Sequence, residues 1–242
     1  MNTEINCDMG ESFGIYRMGD DVGLMPLITA ANVACGFHGS DPNHMRATVK
    51  LAKQHGVRVG AHPSFPDLQG FGRRAMAIER EELANMIIYQ VGALVAFLKA
   101  ENMELSHIKP HGALYGMSAN NGEVAHAICD AADVFDVPIF GMKHTEHEKV
   151  YVDRGHAFVA EFYADLGYDD SGGLIITREH DAVEPVLASK RVARAINEGL
   201  VDSVNGVSVK VGADSICVHS DTPNAVEVAQ AVHDVVTSQT RH

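Results

Sequence analysis

The sequence predicts a single α/β domain over residues 1–242, built as a parallel β/α barrel of seven or eight strands. Three observations predict it. Short apolar runs alternate with helix-period stretches along the whole chain, the pattern of a parallel sheet with crossover helices. At least seven such units follow one another with no linker-like stretch between them. Nearly every apolar run also ends in a polar or ionisable residue, at the strand end where parallel β/α folds carry their chemistry.

The first strand is Glu4–Cys7, entering the polar, glycine-bearing loop Asp8-Met9-Gly10-Glu11-Ser12-Phe13-Gly14. Asp20-Asp21 opens a short helix around Val22–Leu24. Ile28–Cys35 reads as a buried strand, and Asn32 inside it needs hydrogen-bond partners. Ser40 or Asp41 caps the next helix, Pro42 suits its first position, and Met45, Thr48, Val49 and Ala52 line one face. His55-Gly56 ends it. Val57–Ala61 is the third strand, followed by a long loop from Ser64 to Ala75 that holds Arg73-Arg74.

Glu79–Glu101 is the longest helix, with Leu83, Met86, Ile87, Val91, Leu94 and Leu98 as its apolar stripe. The stretch Ser106–Tyr115 then supplies a strand over 106–110. It stops at Pro110, which cannot donate a ladder bond, and turns at Gly112. Lys109 and His111 are left at the strand end. A helix over Asn120–Phe135, a strand at Val137–Gly141, a helix near Glu146–Arg154 and a strand at Ala157–Phe162 follow. The turn at Asp169–Gly173 and the stretch up to Pro185 form an excursion. Val186–Glu198 is helical, Asn205-Gly206 marks a tight hairpin, Ser215–Val218 is the last strand and Ala225–Val236 the last helix.

Composition bounds the function. The net charge of −13 argues against a nucleic-acid binder and against a polybasic membrane anchor, while leaving small anionic ligands open. The four cysteines, Cys7, Cys35, Cys129 and Cys217, include no C-x-x-C pair and read as buried reduced thiols. No signal peptide is visible, and no apolar stretch reads as membrane-spanning, so a cytoplasmic protein is expected.

The strand ends collect Asn6 and Asp8, Asn32 and His38, His62, Lys109 and His111, Glu161 and Asp165, and His219 and Asp221. Their convergence on one barrel mouth is the main argument for an enzyme. Asp8, His62 and His111 also suit a divalent metal that activates water, although no spacing demands one. The segments His38–Asn43 and His219–Asn224 each set a histidine before a proline-bearing helix start. Both are ordinary caps on the bland reading and an anion site on the other. Arg73-Arg74 is either a solvated pair or a clamp on a phosphate or carboxylate. Neither G-x-x-x-x-G-K-[ST] nor G-x-G-x-x-G occurs.

Six ordered motifs carry a resemblance. They are Asn6–Gly14, Ala31–His38, Gly60–Pro63, Asp67–Arg74, Lys109–Tyr115, and Cys217–His219 with Asp221-Thr222-Pro223. Together they resemble the LamB/YcsF family of ATP-dependent 5-oxoprolinase A subunits, over residue 4 to about 236. The resemblance implies a barrel of the glycoside hydrolase/deacetylase type. It also implies cleavage of 5-oxo-L-proline (pyroglutamate) to L-glutamate driven by MgATP, with separate B and C subunits as partners. Under it, Asp8, Lys109 and His111 carry the catalysis, and Asn6, Asn32, His38, His62, Arg73, Glu161 and His219 bind substrate. The chain departs from the family pattern at Gly39-Ser40, Ser64-Phe65, Ser220 and Leu166-Gly167. The last of these lacks an arginine after Asp165, which bears on the role of Asp165 and on the substrate. Two other readings stay open: a metal-dependent carbohydrate or amide deacetylase, and a non-catalytic substrate-binding subunit.

Overall fold

The computed structural model describes residues 3–177 and 179–239. Seven parallel strands close into a barrel: β1 (Glu4–Met9), β2 (Ala30–Ala34), β3 (Arg58–His62), β4 (Leu105–Ile108), β5 (Ile139–Gly141), β6 (Phe158–Tyr163) and, as the closing strand, βC (Ser215–His219). The strand order around the barrel is β1-βC-β6-β5-β4-β3-β2, so β1 pairs with both β2 and βC. The choice between seven and eight strands is thereby settled at seven.

The outer layer consists of α1 (Asp21–Leu24), α2 (Pro42–His55), α3 (Arg80–Ala100), α4 (Gly112–Asn120), α5 (Gly122–Ala132), α6 (Glu146–Asp153), α7 (Pro185–Glu198) and α8 (Ala225–Gln239). Helix α2 starts where expected. Asp41 accepts hydrogen bonds from the backbone N–H groups of Asn43 and His44, Pro42 follows, and Gly56 closes the helix in the left-handed region at φ 68°. Met45, Val49 and Ala52 are buried against the barrel. Full burial of a valine- or methionine-sized side chain is worth about 1.5–3 kcal/mol. Two small antiparallel hairpins lie outside the barrel: Gly167–Tyr168 with Leu174–Ile175 in the excursion, and Leu200–Asp202 with Ser208–Lys210 around Asn205-Gly206.

Three sequence expectations are corrected. The helix expected over Asn120–Phe135 is the shorter α5, and a separate helix, α4, precedes it. The two part at Asn121, whose extended backbone (φ −136°, ψ 111°) cannot continue a helix and whose side chain caps α5 at the Glu123 N–H. Helix α4 was not expected, because Gly112–Asn120 carries two glycines and no clear apolar stripe. The strand at 106–110 ends at Ile108, yet pairing resumes across Pro110: Lys109 N–H donates to the Ala61 carbonyl and His111 N–H to that of Pro63, both at 2.9 Å. Finally, α3 is long and apolar enough to cross a membrane by length and composition alone. Here its buried face of Leu83, Ile87, Gln90, Val91, Leu94 and Leu98 packs inward, and Gln90 is spent on the backbone of Ser64.

The barrel interior is polar along one column. Side chains two apart on a strand share a face, so Asn6 and Asp8, Asn32 and Ala34, Gly60 and His62, His107 and Lys109, and Ser215, Cys217 and His219 point the same way on their strands. Register places Asp8 beside both Asn32 and His219, and Asn32 beside Gly60. The intervening residues Ile5, Cys7, Met9, Val33, Val59 and Ile216 are buried in the hydrophobic core.

Candidate active site at the barrel mouth

Asp8 stands at the centre. Its Oδ1 accepts from Lys109 Nζ and from Asn32 Nδ2, each at 2.8 Å. Its Oδ2 lies 3.2 Å from His62 Nε2 and 3.7 Å from His219 Nε2. Burial works against its ionisation, but the His62 imidazole and the Lys109 ammonium outweigh burial and hold the carboxyl well below the usual range.

Lys109 is buried with four neighbours around Nζ: Asp8, Glu161 Oε1 at 3.0 Å, Cys217 Sγ at 3.0 Å and Asn6 Oδ1 at 3.3 Å. Burial opposes its charge, yet Asp8 and Glu161 hold the ammonium well above its ordinary value. Glu161 is steadied in turn by the Tyr163 hydroxyl at 3.0 Å.

A lower layer orients these groups. Asn6 donates to Ser215 Oγ and accepts from Asn32, both at 2.8 Å, while Asn32 Oδ1 faces His107 Nε2 at 2.7 Å. The His107 ring reaches Asn32 because it lies where a side chain on Gly60 would be. It stacks on Phe140 with centroids 4.1 Å apart. Asn32 therefore has the partners that an amide inside a buried strand requires.

On the rim, Asp165 receives the His219 backbone N–H at 2.7 Å and lies 3.0 Å from its Nδ1. Burial lowers the His219 imidazole, but Asp165 outweighs it and raises the ring above its usual value. Asp165 keeps a clear contact despite the Leu166-Gly167 departure. Arg73 is paired with Asp221 at 2.8 Å and faces His180 Nε2 at 2.8 Å, while Arg74 pairs with Asp67. Arg73 is thus committed to a carboxylate in a nearly buried pair, while Arg74 pairs with Asp67 with its own side chain half exposed to solvent.

A further group of buried donors comprises Glu11, His38, His62 and His111. His38 Nε2 is 3.0 Å from Glu11 Oε1, His111 Nδ1 is 3.0 Å from His62 Nε2, and the His38 and His111 rings stack at 3.8 Å. Burial pushes both His38 and His111 well below the usual imidazole range. It pushes Glu11 well above the usual carboxylate range, with Asp8 and Asp221 adding to the effect.

The mouth holds a narrow cavity of about 20 Å³, room for little more than one water. Of the expected site residues, Asp8, His62, Arg73, Lys109, His111 and His219 line it. The structure sets Asn6, Asn32, His38 and Glu161 behind its wall, where they hold the lining groups. The expected trio Asp8, His62 and His111 is brought together only in part, because Asp8 turns one oxygen to Lys109 and Asn32, and Glu11 and His38 complete the histidine group instead. Of the two helix starts weighed as an anion site, that of α2 is already occupied: Asp41 accepts from the N–H groups of Asn43 and His44, and also from that of Gly14. Glu11, Tyr163 and His180 were missed by sequence reasoning. Only the first had a signal there, as a carboxylate in a glycine-bearing strand-end loop.

A closed parallel barrel with a buried carboxylate–lysine–histidine cluster at the C-terminal ends of its strands defines a β/α-barrel protein of the kind that performs chemistry at its mouth. The chain belongs to the LamB/YcsF family, whose sequence profile matches residues 3–242. The lactam utilization protein lamB of Emericella nidulans is 46% identical over 236 residues, covering 96% of this chain and 93% of that protein. The A subunit of 5-oxoprolinase from Thermus thermophilus is 44% identical over 240 residues, covering 98% of this chain and 96% of that protein. The crystal structure of the lactam utilization protein from Thermus thermophilus matches with a TM-score of 0.89 at 42% identity, covering 99% of this chain and 98% of that one.

Proposed function

We propose that this chain is the A subunit of an ATP-dependent 5-oxoprolinase, opening 5-oxo-L-proline to L-glutamate with hydrolysis of ATP. The observation that carries the reading is the ionised, buried Asp8, held by Lys109 and flanked by His62 and His219 at the barrel mouth. The names of the full-length relatives supply the substrate.

Opening a lactam requires a base for the attacking water, positive charge near the developing oxyanion and a proton for the departing ring nitrogen. Asp8 Oδ2 faces the cavity and accepts the proton from water. His219, whose imidazole Asp165 raises above its usual value, lies next to it and carries a proton toward the ring nitrogen. Lys109 keeps Asp8 ionised and supplies the local positive charge. Asn6, Asn32 and Glu161 act by positioning, since they touch Asp8 or Lys109 from behind the wall.

The residues of this mouth do not fit a triphosphate. Both of its cations, Lys109 and Arg73, are engaged by carboxylates, and Asp8, Glu11, Glu161, Asp165 and Asp221 make the surroundings acidic. In this reading MgATP is handled by the B and C subunits, and no step at this site runs through it. The complex works in the cytoplasm, in keeping with four buried, unpaired thiols.

The test is glutamate formation from 5-oxo-L-proline, with this chain alone and with B and C subunits, with and without MgATP. Turnover that needs ATP and the partners, and that falls by about 10²–10⁴-fold in Asp8→Asn, supports the reading. Absence of glutamate with partners proven active on another A subunit overturns it. Turnover of an N-acetylated sugar or simple amide without ATP would favour the deacetylase reading, for which the histidine group speaks.

A further inference from the structure

We propose that Glu11, His38, His62 and His111 form a binding site for one divalent transition-metal ion of the zinc class. Glu11 Oε1, His38 Nε2, His62 Nε2 and His111 Nδ1 all lie within 4.8 Å of one another, and all four residues are buried. Proximity alone would be weak support; the tautomers of two rings make the stronger case.

His62 Nδ1 lies 2.7 Å from the Lys109 carbonyl oxygen, and His111 Nε2 lies 2.8 Å from the Phe71 carbonyl oxygen. A carbonyl oxygen only accepts, so each of these nitrogens carries the hydrogen. In a neutral imidazole the other nitrogen then bears a lone pair. Those other nitrogens, His62 Nε2 and His111 Nδ1, face each other at 3.0 Å. Two lone pairs at that separation repel unless a positive centre lies between or beside them. Asp8 Oδ2 at 3.2 Å from His62 Nε2 adds negative charge at the same place, and Glu11 Oε1 lies 3.4 Å from His111 Nδ1 as a further oxygen ligand.

The positive centre is either a shared proton or a metal ion. The convergence of four ligand atoms within 4.8 Å of one another favours the ion. His38 adds a third nitrogen: its Nδ1 is buried without a hydrogen-bond partner, so a hydrogen placed there leaves Nε2 available. The carbonyls behind His62 and His111 are the supports that metal-bound histidines ordinarily have, fixing tautomer and ring orientation. Three imidazoles and one carboxylate select a zinc-like ion over magnesium or calcium, which favour oxygen ligands. His62 and His111 also line the cavity, so the ion would sit at its wall and supply a Lewis acid there. This inference does not depend on the lactam reading, because none of its readouts is turnover.

The experiment is metal reconstitution of the whole chain. Protein stripped by a chelator is dialysed against Zn²⁺ or Co²⁺ and analysed for bound metal, and Co²⁺ absorption is recorded. One ion per folded chain, an intense visible band of low-coordinate Co²⁺ and a raised Tm are expected. Glu11→Gln and His111→Ala should each weaken binding by more than the roughly 10- to 100-fold that loss of a supporting contact costs, with far-ultraviolet circular dichroism showing that the variants fold. Should either variant not fold, His38→Gln takes its place. No stoichiometric ion in the reconstituted wild-type chain, or binding that these variants leave unchanged, overturns the proposal. A ¹⁵N NMR signature of an imidazolium at His62 or His111 in protein loaded with Zn²⁺ would also overturn it, by assigning the positive centre to a proton.

Discussion

Lys109 Nζ stands 2.8 Å from Asp8 Oδ1 with both side chains withdrawn from solvent, and the same ammonium lies 3.0 Å from Glu161. One buried cation therefore serves two buried carboxylates. Lys109→Met leaves both uncompensated and should destabilise the fold by about 3–5 kcal/mol, read as a lower urea midpoint. Adding Asp8→Asn to that variant should cost less than the sum of the single changes, because one stranded charge is then removed. Additive losses in the double-mutant cycle would show that the pair is not coupled.

The rim pair titrates in a defined direction. His219 is raised by Asp165, so the stability it contributes is fully present below the unfolded imidazole value of about 6.5 and is lost as pH rises through the raised folded value. Asp165 is opposed by burial but lowered on balance by His219, so its contribution is present above about 3.9 and lost as pH falls through its depressed value. The stability gap between wild type and His219→Gln should thus be widest between those limits and shrink on the alkaline side. A gap that grows with pH above neutrality would contradict the ion pair.

Gly60 lies opposite Asn32 in the β2–β3 register, and a Cβ there would collide with the His107 ring. Gly60→Ala should cost about 1–3 kcal/mol by overpacking. It should also displace His107 from Asn32 and so loosen Asp8. A crystal structure of the variant with the 2.7 Å His107–Asn32 contact intact would refute this account.

Asp41 caps α2 and also binds the Gly14 N–H at 2.8 Å. Asp41→Ala should lower stability by about 0.5–2 kcal/mol, whereas Asp41→Asn should retain most of it. Equal losses in both variants, measured by thermal unfolding, would mean that charge rather than hydrogen bonding at the helix end is responsible.

Much of the fold was legible because its signals are local. The α2 boundaries follow from Asp41, Pro42 and Gly56, whose backbone preferences act within a few residues. The hairpin around Asn205-Gly206 is read the same way, with Gly206 at φ 82°. Helix α4 was hidden, because Gly112–Asn120 carries two glycines and no clear apolar stripe to set a helical period.

For the site, the sequence by itself determined which residues arrive at the strand ends, since a strand delivers its last side chains to one rim wherever it lies in the sheet. Asp8, His62, Lys109, His111 and His219 were visible in that way. Only the tertiary structure decided which of them touch. Strand order and register set Asp8 between Asn32 and His219, and closure of the barrel brought Lys109 across it to both Asp8 and Glu161. Glu11 joined the histidines because the loop after β1 folds over the mouth beside His38. These pairings span large sequence separations, so their energy depends on barrel closure and burial rather than on any short stretch of chain. That is why the roles of Asn6, Asn32 and Glu161, as supports behind the cavity wall, emerged only in three dimensions.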